Sequence, residues 1–498
     1  MTRDDRHVAR GTERESNDTD DERSPMPVDR RSYLRLAGAA VAGAGLLTAP
    51  DVAAAATEYH GFTFSTTVDM VEDAGCDPTG GTDCSTIIED AAADDTLLVF
   101  PEGEYRIANP VVLDGYTTVG VRGEGEATFA WDSGFDRNKS FAVEATDEFY
   151  YEGIDWDITA KNCAPGLYFE VDSRAHVEDL EVVGRGDGTA NALNPFVRDP
   201  DGTAVIRNFV AKQGSDWDET GRVGALVFRE SENVPRNVGT IRFEDCHMEE
   251  FENNGIYAAA SGGPIQVVGG TYRNNNRASL RFSGPESFVE DAVVEADLST
   301  VDPDSNATTT DNPVNLRPIW WQNSFGRNGG EIRDTEVVVA EGTNSAGGVV
   351  FRRQSGACTV RDTSIEIRAD ETPAVLGQRP DRDVFDPPFG ITLDDVRITH
   401  TGDAGGFTLV ETVGFFVNRD GTEITDSCLH ATESGMNGLT YRDSTDCSIT
   451  DTTIDVPGEQ VVEEDAPVTT TDVNDDGPCP GGRGGKSGER PGKGPGGN

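Results

Sequence analysis

The sequence predicts an all-β chain folded as a right-handed parallel β-helix of about ten or more coils. Two short apolar patterns alternate along the middle of the chain, and each pair advances by roughly 20 to 45 residues. Helical repeats would need longer runs with 3.6-residue spacing, but Gly, Pro, Asn and Asp interrupt every candidate. Units this short cannot bury their own apolar faces, so they have to stack into one continuous column. A β-sandwich is the alternative architecture.

The first pattern is apolar-x-Asp/Asn-x-x-apolar, and its polar residue is expected at a turn that every coil repeats. At such a turn the side chains of successive coils can hydrogen-bond to one another. The polar positions are Asp179, Asn208, Asp245, Asp291, Asp334, Asp362, Asp395, Asp426 and Asp451, with Gly270 in a degenerate copy.

The second pattern is a short apolar run that often follows Gly or Pro, and it predicts another strand of each coil. These runs begin at Gly166, Pro195, Gly224, Gly255, Ala278, Pro318, Gly348, Ala374, Gly414 and Gly438.

The segment before the repeats resembles a known capping arrangement. Residues 80–93 are followed by 97–107, which contain Pro101-Glu-Gly103-Glu-Tyr105. They are similar to the entry cap of the pectate-lyase-like β-helix superfamily, in which a short amphipathic helix covers the open end and a strand ending in Pro-x-Gly-x-Tyr starts the first coil. Residues 119–125 resemble the turn that follows. The similarity covers residues 60 to about 456 and implies a short N-terminal capping helix.

That superfamily includes lyases, hydrolases, epimerases, adhesins and phage depolymerases, so the resemblance implies the fold and leaves the chemistry open. The polygalacturonase-like motifs Asn-Thr-Asp, Gly-His-Gly and Arg-Ile-Lys do not occur in this sequence, and neither does the Arg-x-Pro-x-x-Arg motif of pectate lyases. His247 follows Asp245 in the repeat and is expected to be a turn residue rather than a catalytic base.

The charge of the chain is extreme. Its formal net charge is −49 and its isoelectric point is near 4.3, with 90 acidic residues against 41 Lys and Arg. So dense a carboxylate surface repels itself in dilute buffer and is tolerated when salt screens it. This composition predicts a halophilic protein. It argues against nucleic acid as a partner, since no stripe of Lys and Arg neutralises the field.

Residues 1–56 are expected to be a leader followed by a twin-arginine signal peptide. Arg30 and Arg31 precede an aromatic residue, a Leu and a basic residue, and a mildly apolar run with small residues follows. This run is too short and too weakly apolar to remain as a stable membrane span. We expect translation to start at Met26, and we expect a secreted or cell-surface protein exported by the twin-arginine pathway.

Residues 57–458 are expected to form the β-helix, and residues 459–498 a disordered Gly/Pro-rich tail. Apolar runs cease at that boundary, and a segment without them cannot bury enough surface to become ordered. Eight Cys residues permit disulfides in an exported chain. Cys76 and Cys84 bracket a turn and are the best local pair.

No cofactor is firmly predicted. The sequence has no Cys-x-x-Cys pair, so a structural zinc site has no support. The carboxylates of Asp216, Asp218 and Glu219 have the chemistry of a calcium site, and a solvated loop is the alternative. The protein is expected to be a monomer or a homotrimer.

One constellation of side chains predicts a function. In most coils the residue just past the second apolar run is Arg, and stacking would align equivalent positions about 5 Å apart. These positions are Arg198, Arg229, Arg281, Arg352 with Arg353, Arg379, Arg419 and Arg442. The flanking aromatic residues are Tyr168, Phe228, Tyr257, Trp320, Trp321 and Phe416. Since Arg forms paired hydrogen bonds with carboxylates and aromatic rings stack on sugars, this line predicts a groove for an acidic polysaccharide.

Two classes of function follow. The first is an enzyme that cleaves the polysaccharide by β-elimination, with Arg281, Arg352 and Arg353 as catalytic candidates that neutralise the carboxylate and take the proton. The second is a non-catalytic module of the cell surface that binds glycan or has a structural role. The expected substrate-binding residues are Tyr257, Trp320, Trp321, Arg229, Arg419 and Arg442. A ladder of surface ion pairs is the alternative explanation of the Arg residues.

Overall fold

The structure, a computed structural model, describes residues 56–218, 221–311, 314–403, 411–475 and 479. The predicted twin-arginine signal and the end of the predicted tail lie outside these residues. The described chain is a right-handed parallel β-helix with a short capping helix, which confirms the predicted fold class. No helix within this part of the chain is long and apolar enough to cross a membrane.

The first part of the chain contains a hairpin, the capping helix and the first coils. Its elements are β1 Thr57–Tyr59, β2 Phe62–Phe64, β3 Thr66–Asp69, β4 Thr79–Asp83, α1 Ser85–Ala91, β5 Thr96–Phe100, β6 Gly103–Ile107, β7 Val111–Asp114, β8 Thr118–Trp131, β9 Asp136–Asp157, β10 Ala164–Val183, β11 Leu193–Val197, β12 Thr203–Ala211, β13 Ala225–Leu226, β14 Arg229–Ser231 and β15 Val234–Pro235.

The later coils use shorter strands. They are β16 Thr240–Glu244, β17 His247–Glu249, β18 Asn254–Tyr257, β19 Ile265–Val268, β20 Thr271–Arg273, β21 Ala278–Phe282, β22 Phe288–Glu290, β23 Val293–Ala296, β24 Ile319–Trp321, β25 Glu331–Arg333, β26 Glu336–Val339, β27 Val349–Phe351, β28 Cys358–Arg361, β29 Ser364–Ile367, β30 Val375–Gly377, β31 Ile391–Asp394, β32 Arg397–His400, β33 Thr412–Val417, β34 Glu423–Thr425, β35 Cys428–Ala431, β36 Asn437–Arg442, β37 Cys447–Thr450, β38 Thr453–Asp455, β39 Val461–Glu464 and β40 Val468–Thr471. A 3-10 turn, Leu298–Thr300, interrupts the connection between β23 and β24.

Each coil contributes a strand to three parallel sheets. Sheet A contains β3, β5, β16, β19, β22, β25, β28, β31, β34, β37 and β40. Sheet B contains β4, β6, β17, β20, β23, β26, β29, β32, β35 and β38. Sheet C contains β7, β11, β13, β18, β21, β24, β27, β30, β33, β36 and β39. The long strands β8, β9, β10 and β12 bend around corners and join more than one sheet.

The predicted polar turn lies at the corner between sheets A and B. Its Asp and Asn residues adopt φ values between 48° and 53°, from Asp179 through to Asp451. In the degenerate copy the register places Gly269, with φ 66°, at this turn, so the prediction of Gly270 there is wrong by one residue. This left-handed conformation is strained for most side chains and is tolerated by Asp, Asn and Gly, which explains the residues found there. Asn208 Nδ2 donates to Asp179 Oδ1 at 2.6 Å, so this step of the ladder is hydrogen-bonded.

The apolar residues of the same pattern stack inside the column. Val289 is in register with Ile332, Ile332 with Val360, and Val360 with Leu393. All four are fully buried. Stacking therefore supplies the apolar contacts that a single coil lacks.

Helix α1 covers the N-terminal end of the column, and its Ile88 is fully buried. A disulfide bond joins Cys76 to Cys84 directly before the helix, which confirms the predicted local pair.

The solenoid continues beyond the predicted boundary at residue 458. Strand β39 pairs with β36, and β40 pairs with β37. Cys479 forms a second disulfide bond, with Cys428 of β35. The side chains of β39 and β40 are exposed or only partly buried, so main-chain pairing extends the sheets without an apolar run. The predicted start of the tail at residue 459 is therefore wrong.

Candidate functional site

The outer face of sheet C carries a column of aromatic and cationic side chains. Tyr257 is in register with Arg281, Arg281 with Trp320, and Trp320 with Val350. Because side chains alternate between the two faces of a strand, these residues face outward while their neighbours face the core. Strands β21, β24 and β27 are consecutive in the sheet, which matches the predicted order of Arg281, Trp320 and Arg352.

Three guanidinium groups enclose Trp320. The Cζ atoms of Arg281, Arg317 and Arg352 lie 4.4, 4.0 and 4.4 Å from the centre of its ring. Arg281 also lies 4.2 Å from the ring centre of Tyr257. Guanidinium groups are attracted to the negative face of an aromatic ring, so Trp320 holds these cations together. We call Arg281, Arg317 and Arg352 the arginine cluster.

Neither tryptophan is available to stack on a sugar. Trp320 is 1% exposed because the arginine cluster covers it. Trp321 faces the core, where its ring centre lies 5.5 Å from that of Phe282. The prediction that both tryptophans contact substrate is wrong in this structure, since adjacent strand residues face opposite sides and the outward one is covered. The three cations of the arginine cluster and Tyr257 are partly exposed, so they are the members of this column that reach the surface.

A cavity of about 580 Å³ opens beside Arg353, which follows Arg352 of the arginine cluster in the chain. Its lining residues are Arg353, Gln378, Arg379, Pro380, Asp381, Arg382 and Asp383. Three guanidinium groups oppose two carboxylates, so the lining is net cationic in a chain whose net charge is −49. We call this the loop cavity.

The three cations of the loop cavity differ in their partners. Arg353 is 63% exposed, and its Nη2 lies 3.4 Å from Asp381 Oδ2. Arg382 pairs with Asp420 at 2.7 Å. Arg379 is exposed and forms no ion pair with any residue that the structure describes. Arg353 and Arg379 are therefore the lining cations most accessible to a ligand.

Arg419 lies inside the protein. Its side chain is fully buried, and it donates to the carbonyl oxygens of Gln378, Ser355, Gly356 and Arg352 over 2.8 to 3.0 Å. Burial lowers the pKa of its guanidinium to about 9. The prediction that Arg419 binds substrate is wrong, because its buried guanidinium donates its hydrogen bonds to the backbone of neighbouring coils.

The remaining predicted cations lie apart from the arginine cluster. Arg442 is in register with Glu464 of the next coil and forms an ion pair with it. Arg198 Nη1 lies 3.1 Å from Glu230 Oε2 and forms an ion pair with it. Arg229 is exposed on the antiparallel hairpin β14–β15, outside sheet C. The predicted single line of Arg residues is therefore wrong, and the ion-pair alternative describes Arg198 and Arg442.

Sequence reasoning missed two cations of this face. Arg317 lies before β24 and completes the arginine cluster. Arg236 lies before β16, with its Cζ 5.3 Å from the ring centres of Phe196 and Phe228. Both occupy loops that the repeat pattern does not mark, and only contacts in space reveal them.

The predicted calcium site stays a prediction. Asp216 Oδ1 lies 4.0 Å from Arg185 Nε, and burial raises the pKa of Asp216. Asp218 Oδ1 accepts a hydrogen bond from Thr310 at 3.4 Å. The third predicted ligand, Glu219, lies outside the described residues.

Comparisons with known protein families and with curated proteins find no match to this sequence. Among solved structures, the A-module of a mannuronan C-5 epimerase from Azotobacter vinelandii is similar at 12% identity and a TM-score of 0.43, over 83% of this chain and 99% of that one. The surface adhesin PfbA of Streptococcus pneumoniae is similar at 10% identity and a TM-score of 0.44, over 82% and 92%. The catalytic unit of an α-1,3-glucanase from Streptomyces thermodiastaticus is similar at 14% and 0.33, over 85% and 70%. At these identities no residue role is transferred, and the function has to be argued from the side chains of this chain.

Proposed function

We propose that the outer face of sheet C binds an acidic polysaccharide. One observation carries this proposal: the arginine cluster and the accessible cations of the loop cavity lie on neighbouring coils of one face, in a chain of net charge −49. Arg352 and Arg353 connect the two groups of cations through the chain. A concentration of guanidinium groups on so acidic a protein is a feature that a polyanionic ligand would use.

Contact geometry supports a ligand with carboxylate or sulfate groups. In molar salt the Debye length is about 3 Å, so attraction at long range contributes little. A guanidinium group still offers parallel N–H donors that match a carboxylate or sulfate in a bidentate contact. A polymer with one such group on each sugar would engage several arginines at once, and the second contact would benefit from the effective concentration set by the first.

The test is a double substitution, Arg353→Ala with Arg379→Ala, in concentrated salt. Each lost charge-assisted contact weakens binding, so affinity for a polyuronide should fall about tenfold or more. Isothermal calorimetry with a panel of uronate and sulfated polymers measures this. Arg368→Ala is the matched control, because Arg368 is 43% exposed, pairs with Glu366 and follows a strand of sheet B. Equal affinity in the double variant and the wild type would refute the proposal.

β-Elimination at the same face is the second candidate, favoured by the contact of Arg281 with Tyr257. Arg281 or Arg352 would neutralise the uronate carboxylate, which acidifies the adjacent C–H group. A deprotonated Arg353 or Tyr257 side chain would take that proton; the electron pair would form a C=C bond as the bond to the glycosidic oxygen breaks, and water would supply the proton to the leaving oxygen. Appearance of unsaturated-product absorbance on a uronide, and its loss in Arg281→Ala, would support the enzyme. Binding of the polysaccharide without formation of product would support a non-catalytic surface module instead.

We further propose that the protein is halophilic and is exported by the twin-arginine pathway. The Arg30–Arg31 pair supports the export route, and the acidic composition supports the halophilic character. Changing both arginines to Lys should keep the protein inside the cell, and cell fractionation measures the outcome. Export that continues unchanged would contradict the assignment.

A further inference from the structure

The N-terminal hairpin lies against the outer face of sheet A. Phe62 and Phe64 of β2 are buried against Leu97 and Tyr150 in a small cluster separate from the main core. The Arg174 guanidinium lies 3.9 Å from the centre of the Phe62 ring and donates to the carbonyl of Gly61 at 3.1 Å. These contacts fix the turn of the hairpin, residues His60 and Gly61, above strand β10.

Two imidazole rings meet under this turn. His60 is in the turn, and His176 is on β10, 116 residues later in the chain. Their ring centres lie 4.3 Å apart with an interplanar angle of 20°. Both Nε2 atoms face the same carboxylate oxygen, Glu178 Oε2, at 3.6 Å from His60 and 2.6 Å from His176. Among the described residues, this is the group of three His, Cys, Asp or Glu side chains whose donor atoms converge, all within 4.8 Å of one another.

We propose that His60, His176 and Glu178 form a binding site for a divalent transition-metal ion of the zinc class. Two imidazole nitrogens and one carboxylate oxygen are a donor set that Zn²⁺ accepts, with a fourth position left for water. Bonds of about 2.0 Å in a tetrahedral site hold donor atoms roughly 3.3 Å apart. The His60–Glu178 separation of 3.6 Å is close to this size, and the His176–Glu178 hydrogen bond would open by less than an ångström when the metal replaces its proton. The two stacked rings would turn apart on binding, so that both Nε2 lone pairs point at the ion.

Two neighbouring side chains, Tyr150 and Arg207, act on the site in opposite directions. The ring centre of Tyr150 lies 5.7 Å from that of His176, so the aromatic ring shields one side of the site. Arg207 Nη1 lies 3.4 Å from Glu178 Oε2, and its positive charge repels a metal ion bound to that oxygen. Arg207 also pairs with Glu244 at 2.6 Å, so it keeps an acidic partner when Glu178 turns towards the metal. A bound ion would tie the hairpin to sheet A across a long stretch of chain.

Other histidines provide the matched comparison. His247 lies 2.8 Å from Glu249 with the same two-residue spacing as His176 and Glu178. Within the part of the chain that the structure describes, it has no second imidazole to complete a set. His247→Ala is therefore a control that removes a His–Glu pair and leaves the proposed site intact.

The experiment uses the full chain in molar salt, stripped with a chelator and titrated with Zn²⁺ and Co²⁺. We expect one ion per chain by calorimetry and a visible Co²⁺ spectrum. At a hundredfold excess over the Kd, the melting temperature should rise by about 3 °C. Hydrogen exchange of residues 57–64 should slow when metal is added, since the hairpin becomes tied to the sheet.

His60→Asn is the decisive variant, because His60 is 41% exposed and has φ 47°, a conformation that Asn tolerates. Its affinity for Zn²⁺ should fall by about tenfold or more, and so should that of Glu178→Gln, while His247→Ala should bind like the wild type. Absence of stoichiometric binding would overturn the proposal. Binding that persists in His60→Asn, or that adds no protection to residues 57–64, would overturn it equally.

Discussion

Arg419 and two members of the arginine cluster, Arg281 and Arg352, arise from the same sequence signal and have opposite environments. Each of the three lies in or just after a short apolar strand of sheet C. The arginine cluster lies over the outward ring of Trp320, whereas Arg419 is fully buried and donates to four backbone carbonyl groups. The first group lies on the outer face of sheet C, and the second holds adjacent coils together.

The backbone after the strand explains the difference. Arg281 is within β21, so strict alternation places it outside. Arg419 lies two residues past the end of β33, and the intervening Asn418 has φ 51°. This left-handed residue turns the chain, and alternation no longer applies. Gly377 on the neighbouring strand has no side chain; a Cβ there would lie 2.9 Å from Phe416 Cδ1, so the glycine leaves room for a core ring beside Arg419.

Removing salt should produce the largest change and should separate the two regions. The surface carboxylates repel one another over about 30 Å at 0.01 M salt, while the buried hydrogen bonds of Arg419 are shielded from salt. The β-sheet circular dichroism signal should be strong in molar salt and weaken on dialysis. A signal that is the same at both salt concentrations would contradict the halophilic interpretation of the charge.

Replacing Arg419 with Met should cause the next largest change. Met keeps much of the side-chain volume but leaves the buried carbonyl oxygens without donors, which costs about 3 kcal/mol or more in the free energy of unfolding. Denaturation in molar salt measures this. Arg353→Met is the control, because Arg353 is 63% exposed and should change stability by about 0.5 kcal/mol or less. Equal effects of the two substitutions would remove the distinction between the regions.

Replacing Asp334 with Asn should give a smaller effect of opposite sign. Burial, followed by the neighbouring Asp362, raises the pKa of Asp334, so its charged form is disfavoured in the folded state. The resulting destabilisation is present above the folded-state pKa and disappears as the pH falls through it. Asn retains the left-handed turn and carries no charge. We expect a small gain in melting temperature at neutral pH, larger in low salt, and no gain below the pKa. A loss of stability at neutral pH would show that the carboxylate is needed at this corner.

The sequence was sufficient to predict the solenoid because its cause is local. Only Asp, Asn and Gly suit the left-handed corner between sheets A and B, so the turn recurs visibly in the sequence. The capping helix and the Cys76–Cys84 disulfide are local in the same sense. The end of the domain was missed because β39 and β40 pair through the main chain and carry few buried side chains.

The candidate site was predictable only in part. The order of Arg281, Trp320 and Arg352 follows from stacking, whereas the covering of Trp320 depends on Arg317 in a loop. The convergence of His60 with His176 depends on where the hairpin packs on sheet A, and no sequence spacing records that contact.

The two disulfide bonds lie near the two places where a solenoid would begin to unfold. Since each coil contacts only its neighbours, the terminal coils have one partner instead of two and fray first. Cys76–Cys84 lies beside the cap at one end, and Cys428–Cys479 fastens the chain where the last strands are thinly packed. The four free cysteines, Cys163, Cys246, Cys358 and Cys447, are buried in the coils. The two disulfide bonds thus stabilise the two ends of the solenoid. A reducing agent would let the protein unfold from its ends inward.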